Sequence, residues 1–406
     1  MLKFMKFSGS RTYLIATSVL CGAMIGVLGG CKKSSVAQNQ VNQDDLIHIG
    51  EVGSMTGADA GFGISTHQGI LLALDEVNTA GGIDGRKLEL HTLDDQGKPS
   101  EAVLAIKKLI TQLNVQAVLG EVASTLSIAM APIAQQFKVP MISPSSINSK
   151  VTEQGDYIFR VCFVDHFQSR VMADFALNFL HAKKAAILRD MKSDYSMDSA
   201  DLFTEIFRKG GGSILLDQSY SSGDMDFKAQ LTAIRAAAPD VILVPGYYTE
   251  IGLIARQQKE LGMKTPLLGG DGWDSPKLRE IGGSALDGSY FVSHFSQNDS
   301  SPHIQNFVQK YRIAYGEAPN GLAALGYDSA RVLVDSLKRA KQAGNATQTR
   351  DEVRDRLRKS IAETRDFQGV TGKISIGPDR NAIKAAVVFK LTDGGKPQMA
   401  TLVRPD

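Results

Sequence analysis

The chain has 406 residues, of which 43% are hydrophobic and 22% are charged; this is the composition of a globular protein of two or three domains and excludes a disordered or collagen-like chain. Its 45 basic and 43 acidic residues nearly balance, which argues against a nucleic-acid-binding protein because such proteins normally carry a basic face. Three cysteines in a chain of this length exclude a disulfide-stabilised scaffold.

Residues 1–30 carry the pattern of an export signal. Three basic residues and no acidic one precede a short apolar run over residues 13–28, which is shorter than the about 20 residues that span a bilayer. The run ends in the sequence LGGC, which resembles the lipobox of bacterial lipoproteins. We therefore predict a lipoprotein signal peptide, with Cys31 lipidated and anchored to a bacterial membrane. The alternative is a plain signal peptide followed by a chance cysteine.

Residues 31–45 are polar and contain too few aliphatic side chains to bury a core, so we predict a flexible tether. Cys21 leaves with the signal and Cys31 carries the lipid, so Cys162 is the cysteine that remains in the body. Its setting in the apolar run IFRVCFV predicts a buried structural thiol rather than a nucleophile.

From Leu46 onward, short apolar runs alternate with amphipathic stretches. The runs predict strands over 47–53, 88–93, 115–120, 139–143, 185–190, 213–219, 241–246 and 266–270. Between and after them the pattern predicts helices over 65–79, from Pro99, from Ser124, and over 165–181, 196–209, 225–237, 249–262, 302–315, 322–342 and 350–363. The segments 372–376 and 385–391 predict a β-ribbon.

Continuous apolar strands separated by amphipathic helices indicate parallel sheets that are covered on both faces. About ten such β–α units are too many for one sheet of this kind. The sequence therefore predicts an α/β protein with two doubly wound parallel-sheet lobes and a ligand cleft between them.

Catalytic and metal-binding motifs are not apparent in the sequence. The seven histidines, at positions 48, 67, 91, 166, 181, 294 and 303, form no familiar ligand spacing, and there is no C-x-x-C, nucleophile elbow or Walker loop. Asp94 and Asp95 follow a predicted strand and could hold a metal. We favour the alternative that they cap the turn into the helix at Pro99, where negative charge suits the positive end of the helix dipole. We predict no enzyme activity, no cofactor and no metal.

Hydroxyl, aromatic and acidic residues follow consecutive predicted strands, at the edge where α/β sheets bind ligands. These residues are Ser124, Ser145, Ser146, Tyr195, Tyr247 and Asp271. Singly, each has an ordinary explanation as a helix cap, a surface aromatic or a turn residue. Together they suit a small zwitterion, with its carboxylate at the helix that begins at Ser124 and its ammonium at Asp271.

At this point the sequence resembles the branched-chain amino-acid-binding proteins, which are type I periplasmic binding proteins of ABC importers. The resemblance runs from about residue 46 to 391 and is carried by the stretches IGEVGSMTGADAGFG (49–63), LALDEVNTAGGIDGRKLEL (72–90), DDQGKPSEAV (94–103), VPMISPSS (139–146), GYYTE (246–250), LLGGDGWDSPKL (267–278) and GYDSARVL (326–333).

The resemblance implies two lobes that are joined by three chain crossings and close around the ligand. It places residues 46–165 and 295–372 in lobe 1, and residues 166–294 and 373–406 in lobe 2. It also implies an exported, monomeric protein that captures an amino acid and delivers it to the membrane permease of an ABC importer.

The resemblance also assigns roles to single residues. Ser124 would bind the ligand carboxylate, the carbonyl group of Ser145 would accept from the ammonium, and Ser146 would line the same loop. Asp271 would pair with the ammonium. Ile147 stands where the family usually has threonine, so one hydroxyl is missing there and only the backbone N–H group can serve.

Aromatic residues complete the expected site, with Phe62 as a wall near the ligand side chain and Tyr195 and Tyr247 closing from the second lobe. A branched-chain or other aliphatic amino acid is the expected ligand. The alternatives are a small amide or an aromatic acid, or a ligand-sensing regulatory module of the same fold. An enzyme would need a nucleophile and base in the cleft, and the sequence suggests none.

Overall fold

The computed structural model describes residues 46–342 and 349–405. The predicted signal, the predicted tether and Cys31 lie outside the described residues. Within the described ranges, no helix is both long enough and apolar enough to cross a bilayer.

The first part of the body alternates strands with connecting helices. The strands are β1 (Leu46–Gly53), β2 (Lys87–Asp94), β3 (Ala117–Leu119), β4 (Met141–Ser143) and β5 (Ile158–Arg160). The helices are α1 (Ala60–Thr79), α2 (Pro99–Thr111), α3 (Ser124–Gln136) and α4 (Lys150–Glu153). The five strands form one parallel sheet in the order β2-β1-β3-β4-β5.

The middle part repeats this alternation. Its strands are β6 (Lys184–Asp190), β7 (Ser213–Tyr220), β8 (Val241–Leu243), β9 (Leu267–Gly269) and β10 (Tyr290–Ser293). Its helices are α5 (Asp165–Asp174), which a π-helical turn over Phe175–Phe179 continues, α6 (Asp194–Lys209), α7 (Lys228–Ala237), α8 (Tyr248–Glu260) and α9 (Pro276–Gly282). Short 3₁₀ turns cover Asp271–Trp273 and Gly283–Leu286.

The last part adds three helices and five strands. The helices are α10 (Pro302–Tyr315), α11 (Gly321–Gln342) and α12 (Arg350–Ala362). The strands are β11 (Phe367–Gly369), β12 (Gly372–Ile376), β13 (Ala382–Ile383), β14 (Ala386–Thr392) and β15 (Lys396–Val403). β14 and β15 join the middle strands in a sheet of order β15-β14-β10-β9-β8-β6-β7, whereas β11, β12 and β13 form a small sheet of their own.

The body therefore has two lobes, as the sequence predicts. We call the five-stranded sheet with α1–α4, α10–α12 and the small sheet the first lobe, since α11 packs along α1. The seven-stranded sheet with α5–α9 is the second lobe. Because β13 pairs with β12, the chain makes its last passage between the lobes after Ile383, whereas the sequence placed this boundary at residue 372.

The central strands are buried along their whole length, since every residue of β3, β4, β8 and β9 is buried. This explains why they appear in the sequence as unbroken apolar runs without alternation. Cys162 is also fully buried, and burial raises the pKa of its thiol to about 12. The prediction of a structural thiol is thus confirmed.

One sequence-based prediction about strand pairing is wrong. The segments 372–376 and 385–391 do not form a ribbon, because β12 pairs with β11 and β13 while β14 pairs antiparallel with β10 and β15. Their alternation shows that both are strands but carries no information about which strand each one meets.

The acidic pair holds the turn into α2, as the sequence predicts: Asp94 accepts from the Gln96 amide at 2.8 Å and Asp95 from the Gly97 amide at 2.9 Å. Asp94 also accepts from the amide groups of Met55 and Thr56 and so holds the loop between β1 and α1.

Candidate functional site

A cavity lies between the two lobes, beyond the carboxyl ends of the central strands. It has a volume of about 20 Å³ and is lined by Phe62, Val122, Ser124, Ser145 and Leu322 from the first lobe and by Tyr195, Tyr247, Asp271 and Gly272 from the second. The structure therefore brings together six of the eight predicted site residues. Ser146 and Ile147 do not line the cavity.

One end of the cavity is the start of α3, where the sequence predicts the ligand carboxylate. Ser124 is the first residue of this helix rather than its cap, since Ala123 occupies the N-cap position. The Ser124 hydroxyl accepts a hydrogen bond from the Asn148 amide at 3.3 Å. The first N–H groups of a helix lack carbonyl partners within it and carry its positive dipole end. A carboxylate placed here meets a hydroxyl and unpaired amide groups.

The loop before α3 is held by a buried acid. Glu121 is 1% exposed, and its carboxyl group accepts from the backbone amides of Ser54 at 3.1 Å and Ala123 at 2.5 Å. Burial and, secondarily, the nearby Asp95 raise the pKa of Glu121 well above its usual value. This contact fixes the backbone that leads into Ser124, and sequence reasoning gave Glu121 no role.

Ser145, in the loop after β4, lines the cavity, whereas the next two residues of the loop, Ser146 and Ile147, do not. Ser145 Oγ donates to the carbonyl oxygen of Val122 at 3.2 Å. The Ser146 hydroxyl lies 3.0 Å from both the Glu121 and Val122 carbonyl oxygens, so it ties the two loops together. Ile147 is fully buried in the hydrophobic core. The isoleucine side chain therefore packs into the core at the position where the expected threonine would offer a hydroxyl group.

The opposite end of the cavity is the turn after β9, where the sequence predicts the ligand ammonium. Asp271 is 5% exposed, and its Oδ2 atom lies 3.0 Å from Nε2 of His294. Burial lowers the pKa of His294 to about 4, against the opposing effect of Asp271. At neutral pH the imidazole is therefore uncharged and donates its Nε2 hydrogen to the carboxylate. Phe163 stacks on the imidazole ring with the ring centroids 3.7 Å apart.

Gln168 on α5 connects Asp271 to a tyrosine. Its Oε1 atom accepts from the Asp271 amide at 2.9 Å, and its Nε2 group lies 3.4 Å from the Tyr195 hydroxyl oxygen. Sequence reasoning missed both Gln168 and His294. His294 had a usable signal, because it directly follows the apolar run YFVS of β10 as the other site residues follow their strands. Gln168 lies within a helix and gave no such signal.

Aromatic side chains from both lobes enclose the cavity. Tyr195 and Tyr247 of the second lobe stack with their ring centroids 5.5 Å apart. Phe62 of the first lobe meets Tyr247 edge to face, with the ring centroids 5.3 Å apart. Burial raises the pKa of both tyrosines well above the usual value, so they stay uncharged. The enclosure is therefore apolar in its centre and polar only at its two ends, as a ligand with an aliphatic part requires.

Direct hydrogen bonds also join the lobes beside the cavity. Thr125 of α3 and Asp194 of α6 exchange two hydrogen bonds, of 2.9 and 3.0 Å. Asn148 donates to Asp198 Oδ2 at 2.9 Å, and Lys150 Nζ lies 2.9 Å from the same carboxylate. We call these five residues the interlobe latch. They contact the opposite lobe without lining the cavity.

A protein family described as periplasmic binding protein matches residues 46–396, which is most of the chain. The chain belongs to this family. The family consists of exported substrate-binding proteins of transport systems, and the two lobes have the type I fold of such proteins.

Three relatives illustrate the similarity. A Leu/Ile/Val-binding protein homolog of Brucella melitensis is 33% identical over 61% of this chain and 67% of its own length. The crystal structure of a leucine-binding protein from Thermotoga maritima has a TM-score of 0.82 and 37% identity, and the match covers 89% of this chain and 99% of that one.

The third relative is the branched-chain amino acid transporter substrate-binding protein of Streptococcus pneumoniae, whose structure was solved in complex with isoleucine. It has a TM-score of 0.82 and 34% identity, and the match covers 89% of this chain and 100% of that one. These similarities confirm the family and the fold that the sequence predicts.

Proposed function

We propose that this protein captures an aliphatic amino acid, with a branched-chain amino acid as the preferred class, and delivers it to the permease of an ABC importer. The observation that carries the proposal is the pairing of two charge-specific ends in one cavity. Ser124 and the start of α3 line it from the first lobe, and the Asp271 carboxylate lines it from the second. The similarity to relatives named for leucine, isoleucine and valine binding supports the same ligand class.

In this proposal the ligand carboxylate meets the Ser124 hydroxyl and the first amides of α3, and the ammonium pairs with Asp271. The carbonyl group of Ser145 serves as a further ammonium acceptor. The aliphatic side chain packs against Phe62 and Tyr247, where no charged group competes for it.

Ligand binding and lobe closure are coupled in this arrangement. A cavity of about 20 Å³ holds little more than one water molecule. An amino acid therefore enters when the lobes separate and then stabilises closure, because it contacts both of them. The closed form is the one that the permease would recognise.

We further propose that the chain acts as a monomer and is held at a bacterial membrane by a lipid on Cys31. The support is the leader over residues 1–30 and the LGGC sequence at its end. Residues 31–45 would act as the tether between the lipid and the first strand.

Thermal unfolding against a ligand panel tests the binding proposal. The panel contains leucine, isoleucine, valine, alanine, aspartate, lysine, acetamide and benzoate. We expect the aliphatic amino acids to stabilise the protein by about 2.7 kcal/mol at a hundredfold excess over the dissociation constant. A shift with benzoate or acetamide and none with any amino acid would contradict the proposed ligand class.

Uptake of the radiolabelled cognate amino acid by cells with and without this gene separates transport from sensing. Loss of high-affinity uptake in the deletion strain is the expected result. Unchanged uptake combined with tight binding by the purified protein would instead favour the ligand-sensing alternative.

A further inference from the structure

Two histidines and a glutamate meet on neighbouring strands of the first lobe. β1 and β2 run parallel with His48 opposite Glu89 and Gly50 opposite His91. Side chains alternate between the faces of a strand, so Glu89 and His91 share a face. The two imidazole rings stack with their centroids 5.1 Å apart. The register therefore brings three potential metal ligands to one place.

The three donor atoms are close enough to share one ion. His48 Nδ1 lies 2.9 Å from both His91 Nε2 and Glu89 Oε2, and the latter two atoms are 3.5 Å apart. A triangle with these sides has a circumradius of about 1.8 Å. A point about 1 Å above its plane is therefore about 2.0–2.1 Å from all three atoms, which is the usual distance from zinc to nitrogen and carboxylate oxygen.

The surroundings suit a cation that enters from solvent. The side chains of His48, Glu89 and His91 are 25%, 46% and 22% exposed, so they are accessible yet partly enclosed. In the described ranges, no lysine or arginine nitrogen lies within ion-pair distance of Glu89. Its negative charge is thus not neutralised by a fixed cation. Within the same ranges, no other three histidine, cysteine or acidic residues have their donor atoms so close together.

We propose that His48, Glu89 and His91 bind a divalent transition-metal ion of the zinc class. Two imidazoles and one carboxylate match the preferences of zinc, nickel, copper and cobalt, whereas calcium and magnesium prefer sites made of oxygen alone. Three protein ligands leave a fourth position for water. The site belongs to the first lobe alone and lies midway along β1 and β2, and it shares no residue with the cavity beyond the carboxyl ends of the strands.

The ion would act on the edge of the sheet. β2 is an edge strand of the five-stranded sheet, and among residues 46–342 and 349–405 it pairs with β1 alone. A metal that takes two ligands from β2 and one from β1 would tie this edge strand to its neighbour. Since the unfolded chain lacks the assembled site, binding would stabilise the folded protein.

The test uses the full-length protein after its metals have been removed with a chelator. Zn²⁺ titration by calorimetry gives the stoichiometry, and Co²⁺ absorption in the visible range reports coordination by nitrogen and oxygen. We expect one equivalent of Zn²⁺ to bind and to raise the unfolding temperature, while Mg²⁺ does neither. Acidification should weaken binding because protons compete with the metal for imidazole nitrogen.

Matched variants locate the ion. His48→Ala and His91→Ala should each lose at least about tenfold in Zn²⁺ affinity together with the thermal shift. Glu89→Gln, which preserves shape at a half-exposed position, should weaken binding without unfolding the protein. His166→Ala removes an exposed histidine elsewhere and should bind as the unmodified protein does.

Three results would overturn the proposal. They are the absence of any Zn²⁺ binding, binding that His48→Ala and His91→Ala both leave unchanged, and a Co²⁺ spectrum identical in His91→Ala and the unmodified protein. Leucine binding measured on the same samples shows that each variant is folded, so a failure to fold cannot be mistaken for loss of the metal site.

Discussion

At the scale of single residues, the proposed ammonium site depends on how Asp271 is held in place. Asp271 is buried but accepts a hydrogen bond from the neutral imidazole of His294, and its backbone amide is held by Gln168. A neutral donor holds a carboxylate in place without adding a compensating positive charge. Under the proposed function, Asp271 is therefore positioned to pair with the ligand ammonium.

Removing that charge should abolish tight binding. For Asp271→Asn we expect a loss of about 3–5 kcal/mol in ligand binding, since a buried ammonium would lose its counter-ion. Calorimetry with the cognate amino acid measures the effect. Asp393→Asn, at an exposed turn, is the matched control. Unchanged affinity in Asp271→Asn would show that the ammonium binds elsewhere.

His294 should make stability depend on acidity. Its pKa is lowered to about 4 in the folded protein, below the about 6.5 of an unfolded histidine, so between these values the unfolded state binds more protons. Stability from this group is complete above pH 6.5 and falls as the pH drops, by about 3 kcal/mol in total.

Urea unfolding of the unmodified protein and of His294→Gln, at several pH values from 7.5 to 4.5, tests this expectation. Glutamine can still donate to Asp271 but does not titrate, so the variant should lose less stability on acidification. Parallel curves for the two proteins would contradict the assignment.

At the scale of elements, the closest packing in the first lobe is that between α1 and α11. A side-chain carbon added at Gly69 would lie 2.0 Å from the carbonyl oxygen of Ala323, and one at Gly326 would lie 2.3 Å from that of Thr66. Both clashes are with backbone, which cannot rotate away. The two glycines therefore set the distance between the helices.

Alanine at position 69 should destabilise the protein although it favours helices. We expect Gly69→Ala to lower the free energy of unfolding by about 1–3 kcal/mol, because overpacking outweighs the gain of about 1 kcal/mol in helix propensity. Chemical denaturation measures the change. A stabilised variant would show that the helices can separate at little cost.

The interlobe latch should strengthen ligand binding without touching the ligand. In Asp198→Ala, Lys150 loses its partner across the cleft and Asn148 keeps only the Asp194 carbonyl oxygen there, so the closed form loses contacts that the open form does not make. The ion pair is partly exposed and worth little, so we expect a modest three- to tenfold loss of affinity, mainly through faster release. Stopped-flow dissociation measures it.

The control for this prediction is Glu205→Ala, which removes an exposed acid from the same helix, α6. It should release ligand at the rate of the unmodified protein. Equal release rates for Asp198→Ala and Glu205→Ala would show that the latch contributes nothing to closure.

At the scale of the whole molecule, the two lobes suit reversible capture because each contributes one end of the site. Ser124 lies in the first lobe and Asp271 in the second, so under the proposed function tight binding requires the closed arrangement. To deliver its ligand, the protein must also stay near the membrane, and we propose that the lipid on Cys31 holds it there.

That assignment predicts a change of location. Cys31→Ala should release the protein from the membrane fraction into the soluble fraction after cell lysis, since the acyl chains supply the anchor. Immunoblotting of the two fractions measures this, with Cys162→Ala as a control that keeps the anchor. Membrane retention of Cys31→Ala would remove the lipoprotein proposal.

The sequence by itself determined the two-lobed α/β architecture and five residues of the cavity, whereas the sixth, Phe62, rested on the family resemblance. The architecture and the five residues depend on local signals, since buried strands appear as apolar runs and the five residues follow the ends of parallel strands. Ser124 and Asp271 were recognisable in this way although 147 positions separate them in the numbering.

Only the tertiary structure decided which distant segments meet. It separated β12 from β14, placed Gln168 and His294 around Asp271, and set the register that brings His48 to Glu89 and His91. The physical reason is that periodicity records which face of an element is buried but not which partner buries it. The packing of the whole chain decides which strands and lobes pair with each other, and a short stretch of sequence carries no information about that packing.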